Sequence, residues 1–172
     1  MDSQDWDVFC RVIDNYGDAG VCWRLCRDLA GRGHRVRLWI DDARPLQWMA
    51  RPGELEVIDV RAWNEAAACF ESRSGGVVIE AFGCELPDAV KARMAAASPA
   101  PRWINLEYLS AEDYVERSHG LRSPQWQGPA AGLEKFFFYP GFTPRTGGLL
   151  REPGLIECLQ ASDSAQWLAR QG

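Results

Sequence analysis

The stretch DWDVFCRVIDNYGDAGVCWRLCRDLAGRGHRVRLWI, residues 5–40, decides the fold. Its opening, DWDVFCRVI (5–13), is rich in β-branched and aromatic residues and predicts a strand. The strand gives way to Asp14-Asn15-Tyr16-Gly17-Asp18-Ala19-Gly20. Beyond that loop, Val21, Cys22, Leu25, Cys26 and Leu29 recur at helical spacing, and Gly31 and Gly33 supply a stop. In HRVRLWI (34–40), Val36, Leu38 and Ile40 alternate with Arg35, Arg37 and Trp39, which predicts a second strand. Strand, helix and strand in about 35 residues make a βαβ unit.

The same alternation continues down the chain. ELEVIDV (54–60), GVVIEAF (76–82), PRWINLEYL (101–109) and KFFFYP (135–140) read as strands. PDAVKARMAAA (87–97), with Pro87 at its start, and AEDYVERS (111–118) read as helices. VVIEAF and FFFY are apolar nearly throughout, as central strands buried on both faces are. Residues 119–132 and the glycine- and proline-rich 141–154 read as loops, the second long enough to suggest a functional loop or linker. The expected fold is α/β, a mainly parallel sheet between helical layers.

Composition narrows the function classes. With 172 residues, 47% hydrophobic and 25% charged, the chain has the makeup of one globular domain. A net charge of -5 argues against a general nucleic-acid binder, which shows a basic face. No apolar run approaches the ~20 residues of a membrane span, and the first residues do not resemble a signal peptide, so a cytoplasmic placement is expected. Cys10, Cys22, Cys26, Cys69, Cys84 and Cys158 form no C-x-x-C pair, and His34 and His119 are the two histidines. Buried free thiols are the expectation, with no metal site.

The loop at 14–20 carries the candidate chemistry. In open α/β sheets, ligands bind beyond the carboxyl ends of the strands, and this loop also precedes a helix N-terminus. A nucleotide phosphate is the usual occupant. However, neither G-x-G-x-x-G nor G-x-x-x-x-G-K-[ST] occurs. Asp14 and Asp18 stand there instead. Two carboxylates repel a pyrophosphate and suit a cation, or a group that must lose a proton. They also suit purely structural work, Asp18 capping the helix and Asp14 closing an Asx turn. Gly17 and Gly20 allow close backbone approach or a positive φ. Glu80, Glu85, Glu107, Tyr108 and Phe82 fall near the ends of other strands and could line the same edge.

Four segments then bring in a known family. CRVIDNYGDAGVCWRLCRDLA (10–30), IEAFGCELP (79–87), WINLEYLSAEDYVE (103–116) and KFFFYPGFTPRTGGLLRE (135–152) resemble, in order, the EarP family of bacterial protein-arginine rhamnosyltransferases that modify elongation factor P. The resemblance implies a three-layer αβα Rossmann-like domain, one half of a GT-B glycosyltransferase. It implies that residues 1–154 form the N-terminal acceptor-binding domain and 155–172 a tail or the start of an interdomain linker, with the donor-binding half absent. It further implies an inverting transfer of rhamnose from dTDP-β-L-rhamnose to an arginine of elongation factor P, with no cofactor. The family's two essential aspartates fall on Asp14 and Asp18. Asn15, Tyr16, Gly17, Gly20, Phe82, Glu107 and Tyr108 are the expected acceptor-side residues.

The chemistry is consistent with that role. A guanidinium holds its proton to a pKa above ~12, and a free carboxylate titrates near ~4. The proton therefore leaves only as the C–N bond forms. One carboxylate can orient the planar cation through paired hydrogen bonds while another accepts the proton late. Asp18 is read as the base and Asp14 as the group that holds the guanidinium, with the reverse assignment as the alternative. Two other readings remain open: a docking domain without chemistry of its own, and an unrelated small-ligand α/β enzyme.

Overall fold

A computed structural model of the protein describes residues 3–14, 16–72, 75–162 and 169. Among them, β1 (Asp5–Cys10), β2 (Arg35–Ile40), β3 (Asp59–Ala62), β4 (Val77–Ala81), β5 (Arg102–Leu106), β6 (Arg122–Pro124) and β7 (Glu134–Phe138) form one sheet in the order β3-β2-β1-β4-β5-β7-β6. Every neighbouring pair is parallel except β6 and β7. The helices are α1 (Gly17–Gly31), α2 (Leu46–Met49), α3 (Glu54–Val57), α4 (Ala66–Cys69), α5 (Asp88–Ala96), α6 (Tyr114–Ser118) and α7 (Leu155–Ala161). The 3-2-1-4-5 core order is that of doubly wound sheets, and the order reverses between β1 and β4.

The pleat sorts each strand between two cores. On one face Val8 and Cys10 of β1 meet Ala19, Cys22, Trp23 and Cys26 of α1, together with Leu38, Ile40, Val77 and Ile79. On the other, Phe9, Trp39, Val78 and Trp103 meet Ala66 of α4, Phe70, and Val90 and Met94 of α5. All five residues of β4 are buried, as expected for a central strand.

Charges fix the strand alignment. Asp5 faces Arg35 and Asp7 faces Arg37, two rungs apart on the same face of β1–β2. Asp7 is buried and takes both Arg37 nitrogens, at 2.6 and 2.8 Å, plus the Trp39 indole N–H at 2.9 Å. Glu80 of β4 is also buried. It accepts from the Glu85 amide at 3.0 Å, the Trp103 indole at 3.0 Å and the Lys135 ammonium at 3.3 Å. Glu80 is therefore a structural anchor, not a residue lining the edge. Lys135→Met would strand its carboxylate, and removing one member of a buried pair costs about 3 kcal/mol or more. Urea unfolding of that variant checks this; a loss below about 1 kcal/mol would show that neutral donors suffice for Glu80.

Several sequence expectations need correction. ELEVIDV is not a strand throughout. Glu54–Val57 forms one helical turn after Gly53, whose φ is 84°, and pairing begins only at Asp59. FFFY is not central: β7 lies one strand from the edge, beside the three-residue β6, and Phe136 is partly exposed. The 119–132 region contains β6. Pro87 caps α5, and the helix itself starts at Asp88. Cys10, Cys22, Cys26 and Cys84 are buried, but Cys69 and Cys158 are exposed. Burial pushes the Cys84 thiol up to about 12 and raises that of Cys26, which keeps both protonated.

The irregular 141–154 segment packs back onto the domain. Gly147 lies against the Phe138 ring so closely that a Cβ would sit 2.3 Å from it. Glu152 then takes two hydrogen bonds from Arg24 of α1, each 2.7 Å, which pull its carboxyl down to about 2. Most of the tail after Ser162 lies outside the described residues.

Candidate active site

The C-terminal edge of the sheet is built around the loop after β1. That loop leaves its backbone donors without strand partners, and side chains satisfy them. Asp41, just past β2, accepts from the Val12 amide at 2.9 Å. Asp18, in the first turn of α1, accepts at Oδ2 from the Ile13 amide at 2.9 Å and the Asp14 amide at 3.3 Å. In return, Asp14 Oδ1 accepts from the Asp18 amide at 3.0 Å. This reciprocal arrangement satisfies an orphan N–H at the start of α1 much as a capping box does. Tyr16, at the N-cap position, contributes no side-chain bond.

The two aspartates therefore differ. Asp18 is only 1% exposed, and its Oδ1 takes a 2.8 Å hydrogen bond from the Tyr108 hydroxyl. Asp14 is exposed, and among the described residues no donor reaches its Oδ2. Gly17 makes room for that oxygen: a Cβ there would lie 2.2 Å from it. Gly17 thus serves close approach rather than positive φ, whereas Gly20 has ordinary clearance against Met49.

An open groove of about 350 Å³ lies beside Asp14, lined by Val12, Ile13, Tyr16, Asp42, Arg44, Pro45 and Trp48. Trp48 is 85% exposed, and Ile13 and Tyr16 are exposed too. Arg44 pairs with Asp42 at 2.6 Å and holds its carboxyl down at about 2. These two charges offset each other, which leaves Asp14 as the groove's unpaired negative group among the described residues. Nothing in the sequence flagged Trp48, because its part depends on where α2 sits.

Across the β1–β4 boundary, the Tyr108 ring stacks on Phe82, with centroids 4.2 Å apart and planes at 10°. Burial, and then the Asp18 bond, raise the Tyr108 hydroxyl to about 12, so it remains a donor at neutral pH. Phe82 and Glu85 adopt φ of 55° and 53°, a left-handed conformation that costs side-chain-bearing residues energy. The structure thus gathers Asp14, Tyr16, Gly17, Asp18, Phe82 and Tyr108 along one edge. Glu107, the first residue past β5, accepts from Asn105 at 2.7 Å, and burial raises its carboxyl beside Glu80 and Lys135. Asn15 lies outside the described residues. Both histidines do structural work, His34 accepting from the Gln4 amide and His119 from the Tyr139 amide. Among the described residues no three His, Cys, Asp or Glu side chains converge as a metal-ligand set, and no helix is long and apolar enough to cross a membrane.

The chain is similar along most of its length to known proteins. Over 159 residues the chain is 50% identical to a protein-arginine rhamnosyltransferase of Pseudomonas putida, covering 88% of the chain and 41% of that protein. Over 172 residues it is 46% identical to one from Pseudomonas aeruginosa, covering 94% of the chain and 44% of that protein. A relative of the same name from Neisseria meningitidis is 39% identical over 165 residues, covering 92% and 41%. The chain thus spans less than half the length of these curated relatives. The family model described as "Elongation-Factor P (EF-P) rhamnosyltransferase EarP" matches residues 6–171, and the chain belongs to that family.

Proposed function

We propose that this chain is the acceptor-binding, Rossmann-like half of a GT-B glycosyltransferase. It presents an arginine of elongation factor P to dTDP-β-L-rhamnose in the cytoplasm, where translation factors work. The observation that carries this reading is the exposed Asp14 carboxylate. It sits at the reversal point of the sheet, in a groove whose other charges cancel, with one oxygen open to a visitor. Family membership over nearly the whole chain supplies the reaction class.

The geometry favours the alternative division of labour, with Asp14 rather than Asp18 as the base. Asp18 is buried and fully engaged, so it braces the loop. Asp14 meets the guanidinium through Oδ2. The arginine nitrogen attacks the anomeric carbon of rhamnose. The C–O bond to the diphosphate breaks, dTDP leaves with the electron pair, and the nitrogen's proton passes to Asp14 as the C–N bond forms. Attack opposite the leaving group inverts the anomeric centre with no covalent enzyme intermediate, and one base suffices, as in inverting glycosidases. Orientation is the larger contribution, since a well-placed reactant pair can remove ~7–11 kcal/mol of barrier.

The experiment combines the intact enzyme, elongation factor P and dTDP-β-L-rhamnose, and reads the acceptor by mass spectrometry. Gain of one deoxyhexose on a single arginine is expected. The chain's coverage of less than half its relatives favours one further reading, a docking module inactive by itself. The 172-residue chain alone is then expected to bind the acceptor with no mass gain. Tight dTDP binding by this chain without acceptor binding would sink both readings in favour of a small-ligand enzyme.

A further inference from the structure

We infer that the Tyr108 hydroxyl is a positioning group for transfer, setting through Asp18 the loop conformation that presents Asp14. This inference rests on the acceptor-binding reading above. Asp18 receives three hydrogen bonds. Two come from amides of its own loop, at Ile13 and Asp14. The third comes from Tyr108, 90 residues away, beyond the end of β5. It therefore ties the β1–α1 unit to the far side of the sheet's reversal point.

The tyrosine itself is firmly seated. Its ring lies flat on Phe82, and the Phe82 amide donates to the Leu106 carbonyl at 2.7 Å. Phe82 holds its left-handed backbone within this contact set. The loop after β1 and the segment after β5 thus meet at one carboxylate that does not itself face the groove, with Phe82 after β4 backing the tyrosine ring. Tyr108 is half-exposed as a residue, and its hydroxyl is spent on Asp18. Without that hydroxyl, Asp18 Oδ1 becomes a buried acceptor lacking a donor, and the carboxylate must turn to recover one. Turning it loosens the Ile13 and Asp14 amides, and Asp14 drifts with them.

Tyr108→Phe keeps the ring stack and isolates the hydroxyl. In the intact enzyme, kcat is expected to fall about 10- to 100-fold, the scale of a small misplacement of a reacting group, with acceptor KM little changed. In the 172-residue chain, amide hydrogen exchange at Ile13 and Asp14 should quicken while that of the sheet amides holds. An unchanged kcat, or a loss entirely in KM, overturns the inference, the latter by making Tyr108 an acceptor contact. Unchanged exchange at both amides overturns it whatever the kinetics. If the wild-type enzyme transfers no sugar to arginine yet both amides quicken in Tyr108→Phe, the proposed function fails while the hold of Tyr108 on the loop through Asp18 stands.

Discussion

Asp14→Asn is expected to lower kcat/KM for rhamnosyl transfer about a thousandfold, within the range by which a positioned general base accelerates proton transfer, while leaving the fold intact. Asparagine can keep the bond from the Asp18 amide to Oδ1. Its amide nitrogen then takes the place of Oδ2, the oxygen that faces the groove. A donor now confronts a cation made only of donors, and no proton can be accepted. The side chain is exposed, so unfolding free energy should stay within about 0.5 kcal/mol of the parent. Acceptor mass shift against time, with urea unfolding as the control, checks both halves. Turnover near the parent rate would remove Asp14 from the mechanism.

Gly17→Ala should separate activity from stability even more clearly. The new methyl lies 2.2 Å from Asp14 Oδ2 and 3.1 Å from its Cγ, so the carboxylate must swing away. Swinging forfeits the cap on the Asp18 amide, which costs about 0.5–2 kcal/mol. Alanine in place of glycine at the start of α1 returns up to about 1 kcal/mol of helix propensity. The two nearly cancel, and the melting temperature should hardly move. Transfer depends on where the carboxylate points, and is expected to fall about a hundredfold. A normal rate in this variant would mean that the rotamer seen beside Gly17 is not the working one.

How much of this was legible in the sequence depends on the distance between partners. The β1–α1–β2 unit was, because Val8, Cys10, Cys22, Cys26, Leu38 and Ile40 show the periods of a strand and a helix that share one core. The candidate loop was too, since two aspartates before a helix without a glycine phosphate motif leave few chemistries. What was missed depends on long-range placement. The Tyr108–Asp18 bond joins residues 90 apart and has no local signature. Trp48 reads as an ordinary apolar residue until α2 is placed beside the groove. Glu80 looked like an edge residue, because its partners Trp103 and Lys135 come from two later strands. ELEVIDV misled because its alternation is that of a strand, whereas Gly53 starts a helical turn. The difference between the aspartates, one buried and one open, lies in the folded backbone and not in their spacing.

The ion pairs at the start of β1 act on the acidic loop from the opposite end of the strand. A slide of one rung along β2 would carry the loop about 3.3 Å and turn Val8 and Cys10 outward. A slide of two would keep the faces correct, yet bring Asp7 beside Arg35 or Asp5 beside Arg37. Half of the charge ladder would then be lost, and either buried Asp7 or Arg37 would be left without its mate. Asp7 and Arg37 thus work as a vernier that sets the height at which Asp14 stands above the sheet.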